Sequence, residues 1–124
     1  MTLMLPVGPA HRHLNVSNRN AGVAALTAAG STDSVEFVLG RSDERYNVDP
    51  DVDLTPFEAY KKGVSRKHAA IKIGDKNEVS LVDLESTNGT WVNGARISPQ
   101  IPVPLHQGDI IALGKLALQV LIRM

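Results

Sequence analysis

Residues 64–94 read VSRKHAAIKIGDKNEVSLVDLESTNGTWVNG, and this stretch decides the fold. Ala70-Ile71-Lys72-Ile73 alternates with period two, and residues 79–84 and 90–92 are further short runs containing β-branched side chains. Such runs read as strands, because branched side chains fit a pleated, half-buried surface. Between and after them stand Gly74-Asp75, Asn88-Gly89 and Asn93-Gly94. Asn-Gly between apolar runs predicts a tight hairpin, since both residues tolerate positive φ.

The same rhythm of short apolar run and turn extends in both directions. Upstream lie runs at 14–16, 23–27 and 35–39, with Gly30 between them; downstream lie 110–113 and 116–122, preceded by Gly108-Asp109. In the last run Leu116, Leu118, Val120 and Ile122 fall on one face of a strand. No segment sustains a 3.6-residue apolar stripe, and residues 57–62 make at most one turn of helix. Many short strands at close spacing predict an all-β sandwich or barrel. One stretch breaks the rhythm. Residues 40–64 are polar, carrying Asp43, Glu44, Asp49, Asp51, Asp53 and Glu58, and a loop this long in a compact domain is commonly functional. Residues 1–13 mix Pro6, Gly8 and Pro9 with His11, Arg12 and His13 and read as a flexible N-terminal tail before a domain at 14–124.

A chain of 124 residues fits one domain and buries about two-thirds of the surface it exposes when unfolded. It has no cysteine, so disulfides and thiolate metal sites are excluded, in keeping with a reducing, cytoplasmic setting. Thirteen basic and 13 acidic side chains balance, which offers no broad basic stripe for nucleic acid. No apolar run approaches the roughly 20 residues of a membrane helix, and the apolar opening Met1–Leu5 lacks the basic lead of a signal peptide. Membrane insertion is therefore not expected.

Three separated groups carry the chemistry: Gly40-Arg41, Ser65-Arg66-Lys67-His68, and Ser86-Thr87-Asn88-Gly89-Thr90 followed by Asn93-Gly94. Each lies where a predicted strand meets a loop. Gathered at one end of a sandwich, they present guanidiniums, an ammonium, hydroxyls and a carboxamide together. That set suits a phosphate dianion: arginine offers a planar fork of donors, hydroxyls add neutral bonds, and an amide can hold a peptide backbone.

The order Gly40-Arg41, Ser65-x-x-His68, Thr87-Asn88-Gly89 resembles the motif of forkhead-associated (FHA) domains. The surrounding residues agree from Val64 to Ala69, from Asp83 to Gly94 and from Leu105 to Gly114. The resemblance covers about residues 35–122, and residues 14–34 are its least family-like part. It implies an eleven-stranded, two-sheet β-sandwich of the SMAD/FHA-like kind that binds phosphothreonine peptides with loops at one end. It further implies a signalling role downstream of a Ser/Thr kinase, with a phosphorylated protein as partner, no cofactor and no catalysis. By position, Arg41 and Ser65 would hold the phosphate, Thr87 would add a hydroxyl, and Arg66 would help hold phosphate or peptide. Asn88 would bond the peptide backbone, while Gly40, His68 and Gly89 would support the site. Specificity beyond the phosphothreonine would come from about residues 91–97.

Each residue also has a plainer reading. Lys67 reads as a solvated charge, Asn93-Gly94 as a turn, and Trp91 equally as a peptide platform or as half-buried packing. Asp49-x-Asp51-x-Asp53 imitates the start of a calcium loop, but Leu54 stands where that loop needs glycine and Tyr60 where it needs glutamate. Asp53 reads instead as a partner for a basic residue of the site, or as solvated. His11-x-His13 offers two metal ligands, too few for a site. Two rival functions follow from the same residues: an interaction domain working through a sheet face, and a hydrolase using Ser65, His68 and Asp83. The second lacks a Gly-x-Ser-x-Gly elbow.

Overall fold

A computed structural model of the chain describes the backbone of residues 2–6, 11–18, 21–29, 35–74 and 76–123, and the side chains of residues 35–74 and 76–122. Twelve strands form among these residues: β1 (Thr2–Pro6), β2 (His11–Asn18), β3 (Ala21–Ala29), β4 (Val35–Gly40), β5 (Val52–Asp53), β6 (Lys67–Ile73), β7 (Val79–Asp83), β8 (Thr90–Val92), β9 (Ala95–Arg96), β10 (Val103–Pro104), β11 (Ile110–Leu113) and β12 (Leu116–Arg123). They build a seven-stranded sheet in the order β3-β2-β1-β12-β11-β8-β9 and a five-stranded sheet in the order β10-β7-β6-β4-β5. The two-sheet, all-β architecture agrees with the sequence.

The count of eleven strands does not hold. There are twelve among the described residues, nine of them, β4 to β12, from Val35 onward. Three of these, β5, β9 and β10, span two residues each, too few to leave a period in the sequence. A fourth comes from residues read as tail. Thr2–Pro6 run parallel to β12, with Thr2 opposite Gln119 and Pro6 opposite Arg123, and His11 already belongs to β2.

The core lies between the sheets. Phe37, Leu39, Ala69, Ile71, Ile73, Val79 and Leu81 face Ile111, Leu113, Leu116, Leu118 and Val120, as the alternating pattern requires. Ile122 packs, partly buried, against the same cluster.

The polar segment after β4 is anchored into this core. Val52, Leu54, Phe57, Ala59 and Val64 are all buried, and Leu54 donates its N–H to the Gly40 carbonyl at 2.7 Å. Pro56 sits in the first turn of a short 3-10 helix, Thr55–Phe57, where its fixed φ suits a helical start. The helix ends at Glu58, whose φ is 62°, so residues 57–62, where the sequence allowed one turn of helix, form turns closed by a Lys62 N–H bond to the Glu58 carbonyl at 3.0 Å; a second 3-10 turn, Glu44–Tyr46, lies upstream. Asp53 takes neither role foreseen for it. Its Oδ1 accepts the N–H of Ser42 and both the N–H and hydroxyl of Thr55, so it closes the loop rather than pairing with a cation. Burial alone would raise its pKa, but the hydrogen bonds from Thr55 and Ser42 hold it below the usual carboxylate value.

Candidate functional site

Arg41 is placed by a bulge. The pairing of β4 with β6 shifts between Leu39 and Gly40, so that Gly40 lies against the start of β6. A Cβ on Gly40 would stand 1.9 Å from the Arg66 carbonyl oxygen, and the next N–H, that of Arg41, donates to the same oxygen at 3.2 Å. Only glycine permits this approach. The Arg41 side chain then reaches across the loop. Its Nε donates to the Val64 carbonyl at 2.9 Å and its guanidinium lies 5.0 Å from the centre of the Tyr60 ring. One of five N–H groups is thus engaged, and the fork-shaped end has no further protein partner among the described residues.

His68 holds the next loop. It is fully buried, and its Nδ1 accepts the Ser65 N–H at 2.9 Å. Nδ1 therefore carries no proton, so Nε2 does, and Nε2 donates to the Gly89 carbonyl at 2.9 Å. Burial lowers the pKa of His68 and keeps it neutral, which this pair of bonds requires. The histidine thus clamps the Ser65 loop to the Gly89 turn. Ser65 Oγ is not bonded to it; that oxygen accepts the Thr87 N–H at 3.2 Å. With both ring nitrogens committed to backbone, His68 is not poised to deprotonate Ser65.

The third loop is shaped from below by Asp83. Its buried carboxylate accepts the hydroxyls of Ser86 at 2.5 Å and Thr90 at 2.6 Å, and the Ser86 N–H at 3.3 Å. Burial acts to raise the pKa of Asp83, but these bonds win and hold it down. Ser86 Oγ in turn accepts the Gly89 N–H at 3.1 Å. The Asp83–Ser86–Thr90 triangle fixes the turn that lifts Thr87 and Asn88 to the surface. Asn88 donates from Nδ2 to the Gly63 carbonyl at 2.9 Å.

These contacts enclose an open pocket of about 210 Å³, lined by Arg41, Tyr60, Ser65, Thr87 and Asn88 with Gly63 and Val64. Four residues singled out from sequence, Arg41, Ser65, Thr87 and Asn88, therefore meet at one place. Gly40, His68 and Gly89 frame them. Arg66 does not line this pocket. Its guanidinium sits 4.2 Å from the centre of the Tyr46 ring and 3.8 Å from the carboxylate of Asp43, which also binds Arg45. The side-chain hydrogen bond from Arg45 keeps the Asp43 pKa low. Asn93 behaves as a turn residue: Oδ1 accepts the Ile110 N–H at 2.9 Å and Nδ2 donates to Asp109 at 3.0 Å.

Sequence reasoning missed Tyr60, Gly63 and Val64. Tyr60 was visible as an aromatic in a polar loop, and at 79% exposure it is not core. Gly63 carries a positive φ of 80°, and a Cβ there would meet Asn88 Nδ2 at 2.6 Å. Among the described residues no group of three His, Asp or Glu could hold a metal, and His11 and His13 lie outside the described side chains. No helix among the described residues is long and apolar enough to cross a membrane.

Comparison with known proteins agrees with this fold. E3 ubiquitin-protein ligase rnf8 of Danio rerio is 43% identical over 51 residues, 41% of this chain and 10% of that protein. The chain thus spans about a tenth of the length of that relative. The FHA domain of the CT664 protein from Chlamydia trachomatis superposes with a TM-score of 0.62 at 26% identity, covering 87% of this chain and 93% of that one. The N-terminal FHA domain of RAD53P from S. cerevisiae, solved in complex with a phosphothreonine peptide, gives 0.58 at 25% identity, covering 82% and 79%. The model of the FHA domain matches residues 37–114, well over half of the sequence. The chain belongs to the FHA domain family.

Proposed function

We propose that this domain binds a phosphothreonine-containing segment of a partner protein, with the phosphate in the pocket between Arg41, Ser65, Thr87 and Asn88. The observation that carries the reading is the convergence there of side chains from three distant loops, two of them clamped together by the buried neutral His68. A phosphothreonine brings nearly two negative charges and three acceptor oxygens. The free N–H groups of Arg41, the hydroxyl protons of Ser65 and Thr87, and the second amide proton of Asn88 are the matching donors. The N-terminal FHA domain of RAD53P, solved in complex with a phosphothreonine peptide, supports phosphothreonine as the ligand class.

The domain contributes recognition rather than catalysis; the commitment of His68 to Ser65 N–H and Gly89 supports this. The mark it reads is written by a protein kinase acting on threonine. Arg66, held by Asp43 and Tyr46, has the lesser part in holding the ligand. Affinity is micromolar, about −8 kcal/mol. Phosphoserine binds more weakly, since one methyl group is worth about 1–3 kcal/mol.

The test is titration of a phosphothreonine peptide library and its unphosphorylated copy against wild type, Arg41→Ala and Arg66→Ala. Loss of Arg41 weakens binding on the order of ten- to a hundredfold, as expected for charge-assisted bonds of about 1.5–3 kcal/mol. Loss of Arg66 weakens it only a few fold. Equal binding of phosphorylated and plain peptides by all three proteins would end the proposal.

A further inference from the structure

Beside the phosphate pocket the surface sinks into a second, larger cleft of about 370 Å³. Gly63 and Asn88 line both depressions, so the two share a wall. Lys61, Lys62 and Lys115 line the second cleft together with Trp91.

The lysines stand on backbone that is tied down. Lys115 donates its N–H to the Lys62 carbonyl at 2.8 Å, and Gly114 donates to the Gly89 carbonyl at 3.0 Å. Gly114 sits at φ +60°, and a Cβ there would lie 2.5 Å from the Lys62 oxygen. Three loops, around residues 61–63, 88–91 and 114–115, are thereby locked side by side. Their positive charge is poorly compensated. Lys61 meets Glu58 only at 4.0 Å on an exposed surface, and neither Lys62 nor Lys115 has a carboxylate partner among the described residues. The Arg96 guanidinium adds a further cation 5.4 Å from the centre of the Trp91 ring. Like charges around a concave site repel one another and focus a positive potential into it.

We infer that this cleft is an anion subsite for a second acidic group on the same ligand segment, a carboxylate or a second phosphate close in sequence to the phosphothreonine. The inference rests on the phosphate pocket proposed above and names what must flank the residue bound there. A segment anchored at Arg41 and Ser65 and passing Asn88 has the lysine cleft as its next concavity. Selectivity therefore resides chiefly at Lys61, Lys62 and Lys115. Of residues 91–97, named from sequence for that role, only Trp91 lines the cleft.

The experiment uses phosphothreonine peptides with alanine flanks. At each of the four positions on either side, one peptide series places Asp, a second places another phosphothreonine, and a third places Lys. Binding is followed by fluorescence anisotropy at low and high salt, to wild type and to a Lys62→Gln/Lys115→Gln double variant. The expected result is a position where Asp improves binding about three- to tenfold over Ala, a second phosphate does so more, and Lys weakens it. The gain shrinks with salt, and the Asp-to-Ala ratio falls to about one in the double variant. An effect of the second phosphate without one from Asp assigns a doubly phosphorylated ligand; an effect of both assigns any acidic flank. Phosphate-dependent binding in which neither Asp nor a second phosphate improves on Ala at any position overturns the inference and leaves the first reading intact. A ratio that survives in the double variant also overturns it. Should that variant not fold, the wild-type position scan and its salt dependence decide alone. Binding with no phosphate dependence at all overturns both readings.

Discussion

The hydroxyl of Ser65 accepts the backbone N–H of Thr87 at 3.2 Å, joining two loops that lie 22 residues apart in the chain. The bond uses a lone pair and leaves the Ser65 proton free to be given to an anion. One small side chain therefore both spaces the two rims of the pocket and offers it a donor. Ser65→Ala removes both functions. Its affinity for a phosphothreonine peptide falls on the order of ten- to a hundredfold, as loss of one hydrogen bond to a charged group predicts, while unfolding in urea shifts little. Calorimetric titration of wild type and variant checks this; unchanged affinity would remove Ser65 from the site.

The Gly40 position admits no side chain. A Cβ would lie 1.9 Å from the backbone oxygen of Arg66, and no rotamer can relieve a contact made by backbone on both sides. Gly40→Ala must part β4 from the start of β6 and break the Arg41 N–H bond to Arg66. Overpacking of this kind costs on the order of 3 kcal/mol. Urea unfolding should show the midpoint falling with the slope unchanged, and a variant as stable as wild type would refute the contact.

The neutral state of His68 makes the fold sensitive to mild acid. Its folded pKa lies below the ordinary value of 6.5, so below that value the unfolded chain binds a proton that the native one refuses. Stability from this group is complete above about pH 6.5 and is lost as the pH falls from there toward the folded pKa, at no more than about 1.4 kcal/mol per pH unit. Asp83, the nearby carboxylate, adds a second loss only as the pH falls below 3.8. Thermal unfolding of wild type between pH 7.5 and 5 should therefore show a steeper decline than that of His68→Asn, which starts lower but changes less. Parallel curves would mean that the imidazole is not held neutral.

How far the sequence could be read follows from which forces are local. The runs at 35–39, 70–73, 79–84, 110–113 and 116–122 appear as strands near those bounds because burial of alternating side chains writes a period into the chain. Val52–Asp53 and Ala95–Arg96 leave no such trace, since their pairing is dictated by neighbours brought in from elsewhere. At the site, Arg41, Ser65, Thr87 and Asn88 were legible because their chemistry suits one anion. The placement of Arg66 was not. It depends on Asp43 and Tyr46, more than 19 residues earlier in the chain, turning toward it through the 3-10 turn Glu44–Tyr46. Likewise Lys61, Lys62 and Lys115 look like solvated charges until three loops are laid side by side.

Asn88 is the residue through which the two clefts are linked. Its Nδ2 donates to the Gly63 carbonyl at 2.9 Å, and both residues line the phosphate pocket and the lysine cleft. Asn88→Ala removes the tether and the donor, and binding weakens on the order of tenfold. Asn88→Asp keeps the shape but reverses the chemistry: a carboxylate cannot donate to the Gly63 oxygen and repels the incoming phosphate. The aspartate variant therefore binds more weakly than the alanine variant at low salt. The gap between them narrows as salt rises, because the added loss is electrostatic and screened, whereas the missing hydrogen bond is not. Anisotropy titrations of both variants at about 20 mM and 500 mM salt separate the two contributions, and equal binding at low salt would show that Asn88 does not face the anion.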